Sequence, residues 1–304
     1  MAVPVPESPG APSTLAPFVG RGLELARLRA FVQSAPHGAV CAVSASTGFG
    51  KTALIDELWR ALPAMALERL WIDARRHAAG DARLLTRLSL PPGPAVVVID
   101  GWDHLAPTLA PVLAAAPPRH NGRVVYVAAS RSEPGPLAPG LADRVDLGHL
   151  SPHEVDAWLV RYGFPARERA ALVTRTYGDP LAVALAIDVA QITGTVFVPI
   201  SGRPAREQLA DAFAAATTKS TRRMALLALA VGSPVDADGF ARALGLPQVE
   251  PVMRWLERLA VVRSSPCGLS LQPFVAEHLV AHAGPSDRLL ADYTAARLGC
   301  ARPG

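Results

Sequence analysis

Apolar and polar positions along the 304-residue chain fall into two regimes. In the first half, short apolar runs alternate with stretches of helical spacing. Residues 39–44 (AVCAVS), 70–73, 95–100 (AVVVID), 124–129 (VVYVAA) and, more weakly, 144–147 read as strands. Leu23, Leu25, Leu28, Phe31 and Val32 give a helix over 22–33 one broad apolar face. Leu54, Ile55, Leu58, Trp59 and Leu62 do the same for 52–62. Strands apolar on both faces and interleaved with helices predict an α/β fold, a parallel sheet with helices on both faces.

From residue 150 the period becomes helical throughout. Ser151 can cap a helix with Glu154 at the capping-box position, and further helices are expected over 165–177, 180–192 and 204–216. A Gly/Pro-marked loop, 194–204, separates the last two. Helices at 221–231, 236–244 and 247–260 then precede two short β-like pieces, 260–264 and 268–271. Three helices followed by a hairpin predict a winged helix. Its third helix is expected to bury Val249, Val252, Met253, Leu256 and Leu259. The expected domains are a tail over 1–17, a sheet domain over 18–148, helices over 149–217, the winged helix over 218–285 and a last helix and frayed end over 286–304.

Composition narrows the class. Half the residues are apolar and 18% charged, so a sizeable core is available and wholesale disorder is excluded. Residues 1–17, with five prolines and no apolar period, are the exception. Net charge is +4, carried by 28 arginines and only two lysines, which permits an anionic partner without demanding nucleic acid. Three distant cysteines, Cys41, Cys267 and Cys300, offer neither a disulfide framework nor metal spacing and suit a reducing, cytoplasmic setting. No apolar run reaches the length of a membrane span, and no secretory leader is read at the N-terminus.

The chemistry concentrates in V-S-A-S-T-G-F-G-K-T, residues 43–52. The phosphate-loop pattern is G-x-x-x-x-G-K-[ST]. Ala45 holds the first glycine position, while Gly50, Lys51 and Thr52 match. Successive N–H groups of Thr47, Gly48, Phe49, Gly50 and Ala53 can wrap an anion at the positive end of the following helix. Lys51 suits the β- and γ-phosphates, and the Thr52 hydroxyl suits Mg²⁺. One of the two lysines in the chain stands at the required place, between an apolar strand and an amphipathic helix. The A-V-V-V-I-D strand delivers Asp100 as a second Mg²⁺ ligand. Gly101 cannot act as the carboxylate that polarises water. Asp103 can, although an N-cap role there competes. At the end of the 124–129 strand, Arg131 is placed to reach a γ-phosphate, against the plainer reading of a solvated arginine.

With these residues in hand, the chain resembles STAND-class P-loop NTPases, the branch that includes NB-ARC domains and the ATP-binding region of large LuxR-type regulators. Phe18-Val19-Gly20-Arg21 with Glu24-Leu25 resembles the family's opening motif. A-A-S-R over 128–131 resembles its sensor strand, and L-S-P-H-E-V over 150–155 the start of its helical lid. Gly178-Asp179-Pro180-Leu181 resembles its Gly-x-Pro-Leu motif. The resemblance implies that Val19, Gly20 and Arg21 line an adenine pocket and that Pro180 packs on the nucleotide, although a first-turn helix proline explains Pro180 equally. It also implies that Gln272 stands where members place a histidine on the β-phosphate. Gly22 and Gly101 replace acids common in the family, and Gln272 brings no charge.

The resulting expectation is an ATP/ADP switch with Mg²⁺ and slow or absent hydrolysis, signalling through the lid and winged helix to a protein partner or a second copy. The alternatives are an active AAA+-type ATPase, which lacks its acid after Asp100, and a DNA-binding regulator. The exposed face expected of helix 247–260 mixes Glu250 and Glu257 with Arg254 and Arg258. Residues 220–304 hold nine arginines against seven acids, so DNA is disfavoured.

Overall fold

The computed structural model describes residues 18–62, 68–73, 95–104, 124–130, 141–217, 220–232, 234–265 and 268–299. They form two units, one covering residues 20–148 and the other residues 149–304 with the segment before residue 20.

The first unit is built on five strands: β1 (Val40–Ser44), β2 (Glu68–Asp73), β3 (Ala95–Asp100), β4 (Val124–Ser130) and β5 (Leu141–Asp146). Their order is β2-β3-β4-β1-β5, and every pairing is parallel. All residues of β1 and β3 are buried, which is why these strands read as unbroken apolar runs. β5 lies at a sheet edge and starts earlier than the expected 144. There Asp143 and Arg144 are only partly buried and Asp146 is exposed, so no apolar run announces it. Helices α1 (Gly22–Ser34) and α2 (Lys51–Ala61) turn Leu25, Leu28, Phe31, Val32 and Leu54, Ile55, Leu58 inward, as their spacing predicts. The helical stretches expected between β2 and β5 lie outside the described residues, as does the tail over 1–17.

The second unit is helical: α3 (Pro152–Arg161), α4 (Ala166–Thr176), α5 (Pro180–Thr193), α6 (Ala205–Ala216), α7 (Ser220–Gly232), α8 (Ala237–Leu244) and α9 (Glu250–Glu257). An antiparallel pair, β6 (Val262–Ser265) and β7 (Gly268–Leu271), follows, then α10 (Pro273–Ala281) and α11 (Pro285–Leu298). The capping box is present: Ser151 accepts from the Glu154 N–H while the Glu154 carboxylate accepts from the Ser151 N–H. One apolar core runs from Leu150 to Leu279. Its spine is α5, buried without interruption from Leu181 to Ala190.

Two positions in this unit admit only glycine. At Gly178, with φ +75°, a Cβ would lie 2.1 Å from the Leu150 carbonyl oxygen. The Leu150 N–H in turn donates to the Gly178 carbonyl at 2.8 Å, so the chain segments touch backbone to backbone. Gly268 similarly abuts Val235.

Two expectations need correction. The helix expected over 247–260 spans only Glu250–Glu257. Leu256 is its one fully buried residue, Val252 and Met253 being half-buried, with buried Val249 and Leu259 just outside it. Pro251 suits its first turn. Beyond it the Arg258 and Leu259 N–H groups reach back three residues, to the Trp255 and Leu256 carbonyls, and the N–H groups of Ala260 and Val261 are taken by the Asp188 carboxylate of α5. Helix α10 was not anticipated. Its start is signalled locally, by Gln272 as a cap and Pro273 in the first turn, but these follow a strand directly and leave no loop to mark a boundary.

Candidate functional site

Parallel strands all end at one edge of their sheet, and ligands of open α/β sheets sit outside that edge. Ser44, Asp73, Asp100 and Ser130 are the last residues of β1 to β4. Ser44 pairs in register with Ser130, and Asp73 with Asp100. The loop from Ala45 to Gly50 leaves this edge and enters α2. Gly48 (φ 91°) and Gly50 (φ 85°) hold left-handed conformations that a side chain would strain. Gly50 is the N-cap of α2 and supplies no side-chain acceptor, and the amide end of the helix faces the loop. Thr47, Phe49 and Lys51 are partly buried and Ala53 exposed.

The ammonium of Lys51 folds back over the loop, donating to the carbonyl oxygens of Ala45 and Ser46, the latter at 2.9 Å. These contacts are the exchangeable kind: a stronger acceptor arriving in the loop competes for the same Nζ. Thr52, one residue on, donates its hydroxyl to Asp100, with both carboxylate oxygens at 3.0 Å. β4 separates β1 from β3 in the sheet, so this contact is made by the first turn of α2 reaching across β4. Asp100 is only 4% exposed. A buried carboxylate beside a hydroxyl, next to the amide end of a helix and a movable ammonium, can hold a polyphosphate and a hard divalent cation. Few protein oxygens are needed for Mg²⁺, which keeps most of its waters. Among the described residues no group of three or more His, Cys, Asp or Glu side chains could hold a metal by itself.

The remaining expected residues fall as follows. Gly101 has φ +79°, and Asp103 lies, partly buried, in a short 3-10 turn beside fully buried Trp102. Arg131 lies outside the described residues. Gly20 and Arg21 are both left-handed, at φ 70° and 61°, and Arg21 forms the N-cap of α1. Its guanidinium is nearly buried and donates to Glu24 at 3.1 Å and to the Gly148 carbonyl. Val19 directly precedes them and groups with the other unit.

Within the helical unit, Pro180 opens α5 behind Asp179. One Asp179 oxygen, Oδ1, accepts from the Leu181 and Ala182 amides at 3.0 and 3.3 Å, and Oδ2 accepts from Arg206 Nε at 2.8 Å. The Arg206 guanidinium stacks over Phe274 at 5.4 Å. Phe274 belongs to the first turn of α10, where Gln272 Oε1 caps the Phe274 and Val275 amides at 2.8 and 3.4 Å. Arg206 thus links the Pro180 and Gln272 segments. A cleft of about 550 Å³ surrounds this linkage, lined also by His149, Arg175, Tyr177 and Arg203.

Sequence reasoning missed two features. Asp73 shares the sheet edge with Asp100 by register, which only the strand order reveals. The Ser44 hydroxyl is buried at the mouth of the loop with no hydrogen-bond partner, and a serine ending an apolar strand gives no local sign of that.

No family model matches the chain, and no curated protein matches its sequence. Among solved structures it is similar to PH0952 from Pyrococcus horikoshii, a Signal Transduction ATPase with Numerous Domains (STAND) protein with a tetratricopeptide repeat sensor. The TM-score is 0.62 at 15% identity, over 94% of this chain and 47% of that one. Weaker likenesses are to Drosophila ORC bound to DNA, with TM-score 0.46 and 16% identity over 93% of this chain and 87% of that one, and to Cdc6p from Pyrobaculum aerophilum. For Cdc6p the values are 0.45 and 13%, over 95% and 97%. The fold is that of a P-loop NTPase. The chain shares that fold with the STAND protein and spans about half its length. Among the described residues no helix is long and apolar enough to cross a membrane.

Proposed function

We propose that the chain is an ATP/ADP-binding switch of STAND type, with slow or absent hydrolysis. The observation that carries this reading is the Thr52 hydroxyl resting on the buried Asp100 carboxylate, with Lys51 folded over the loop beside it. In this reading the loop amides and Lys51 hold the phosphates, and Arg21 and its neighbours border the base. Thr52 and Asp100 are the residues that would hold Mg²⁺, which when bound supplies charge neutralisation of the phosphates. Gly101 puts no acid beside Asp100 to polarise water, which supports slow turnover.

Residues 149–217 then serve as the lid and 218–285 as a winged helix. The two would report the bound nucleotide through the Pro180 and Gln272 segments. That Arg206 joins those segments supports the idea, since a switch needs one contact that two arrangements use differently. The output is a protein partner or a second copy, in the cytoplasm.

Two measurements on the purified chain test this. Denaturing the protein and separating the supernatant by anion exchange identifies a retained nucleotide, expected to be ADP or ATP. Steady-state hydrolysis is expected below about 1 s⁻¹, the slow end for enzymes. Turnover of tens of ATP per second by the chain alone would replace the switch with an active AAA+-type ATPase.

A further inference from the structure

Asp73 closes β2 at the edge where Asp100 closes β3, and the two pair in register across neighbouring parallel strands. Separate contacts place each on the same face of the sheet. The Asp100 carboxylate accepts from Thr52 in the first turn of α2, so Asp100 belongs to the face that α2 covers. On β2, Arg69 donates to the Trp59 carbonyl of α2 at 2.9 Å, and its guanidinium sits 4.7 Å from the Trp59 ring centre. Trp71 meets the same ring edge-on, with 5.5 Å between centres. Residues two apart along a strand share a face, so Asp73 follows Arg69 and Trp71 onto the α2 side. Neighbouring strands lie about 4.8 Å apart. A second acid therefore stands one strand from Asp100, on the same face and at the same level, at the edge where α2 begins.

We propose that Asp73 is the catalytic base of this site, orienting the water that attacks the γ-phosphate and taking its proton. The proposal rests on reading the site as one for Mg·ATP, and goes beyond that reading by naming the base.

The argument is one of supply. Attack by water needs an acceptor for a proton. Lys51 is a cation and can only donate. Asp100 already accepts from Thr52 and, in this reading, faces the cation. Gly101 has no side chain, and Asp103 lies past the strand, in the 3-10 turn. Asp73 stands in the sheet itself. In the step, the water oxygen bonds to the γ-phosphorus while the bond from that phosphorus to the β,γ-bridging oxygen breaks. The electron pair leaves with ADP, and the water proton passes to the Asp73 carboxylate and then to solvent. The products are ADP and inorganic phosphate. β2 is the third strand from β1, whose loop holds the phosphates in this reading, and β3 the second. A base acts directly or through one intervening water. The longer reach from β2 accounts for turnover that is slow rather than absent.

The test follows single-turnover cleavage of radiolabelled Mg·ATP by the full chain, with affinity measured separately by calorimetry. Wild type should cleave ATP slowly. Asp73→Asn should be slower by about a hundredfold or more, the contribution of a positioned base. Its affinity for Mg·ATP should stay within about twofold of wild type, since the base acts in the transition state. Asp73→Glu keeps the carboxylate and should stay within about tenfold of the wild-type rate. A readout independent of turnover is binding of Mg·ADP with aluminium fluoride, which mimics the phosphoryl group in transfer. Asp73→Asn should weaken that complex at least about tenfold and leave Mg·ADP alone unchanged, whereas a structural role would move both together.

A wild-type rate in Asp73→Asn, or a wild-type chain that binds Mg·ATP and never cleaves it, would overturn the proposal and leave the switch reading standing. Loss of Mg·ATP affinity in Asp73→Asn, with affinity for ATP without Mg²⁺ intact, would also overturn it and make Asp73 a cation ligand. If Asp73→Asn does not fold, Asp73→Glu decides: a folded Asp73→Glu that cleaves ATP no faster than buffer would overturn the proposal. Failure of the switch reading shows separately, as equal nucleotide affinity in wild type and Lys51→Ala.

Discussion

Among the described residues two aspartates, one in each unit, are almost wholly buried, and they differ in what surrounds them. Asp100 ends a strand at the open edge of the sheet and meets a side-chain hydroxyl, Thr52. Asp188 sits mid-helix in a continuous apolar core and meets two backbone amides from a segment far away in sequence. The first is a charge presented at a surface where a cation and phosphates can compensate it. The second is compensated only from within, by groups that have no other acceptor if it leaves. Burial alone therefore does not mark a binding residue; the mobility of the partner does.

The largest expected effect separates the two on stability. Asp188→Ala strands the Ala260 and Val261 amides in the core and should cost about 3 kcal/mol, each buried donor contributing about 1–3. Asp100→Ala frees a hydroxyl at the site edge and should cost about 1 kcal/mol or less, while weakening Mg·ATP binding. Urea unfolding of both variants reads the difference, and equal losses would erase the distinction drawn here.

Next comes the backbone contact that carries the Pro180 segment. Gly178→Ala must displace the Leu150 carbonyl and strain a positive φ, for an expected loss of about 2 kcal/mol. A thermal midpoint within a degree of wild type would mean that Leu150 and Gly178 are not held together in solution.

How legible these features are from sequence follows the same division. The strand–loop–helix around Lys51 and the strand ending at Asp100 are local patterns, continuous in the chain, and the structure has both where the spacing puts them. So are Ser151 with Glu154 and the first-turn proline Pro180. What stays hidden is what a distant segment supplies. The turn after α9 is held by Asp188, which takes the Ala260 and Val261 amides, and no pattern around 257 foretells it. Asp188 itself lies in a helix that is apolar all round, which gives no periodic signal of a partner. β5 is polar because it is an edge strand, and α10 abuts β7 without a loop.

A smaller stability effect belongs to Gln272. As an N-cap its loss in Gln272→Ala should cost about 1 kcal/mol. If it also meets the β-phosphate, the same change should shrink the ADP-induced rise in melting temperature beyond what the lost cap explains. Arg254→Ala, exposed on α9, serves as the control and should leave that rise unchanged. Gln272→His should enlarge the ADP effect below about pH 6.5, where imidazole is charged. An ADP shift indifferent to both changes would detach this segment from the nucleotide, and a salt-dependent shift with duplex DNA would then be sought.

The most direct test of the account is titration calorimetry of Mg·ATP and ADP into the wild-type chain and Lys51→Ala. Lys51 is partly buried at the site's edge and its ammonium donates to the Ala45 and Ser46 carbonyls of the loop, so its removal should spare the fold. The account predicts measurable binding to wild type and affinity at least about tenfold weaker in the variant, a difference of about 1.4 kcal/mol or more. Equal affinities, or a wild-type chain that binds neither nucleotide, would contradict it.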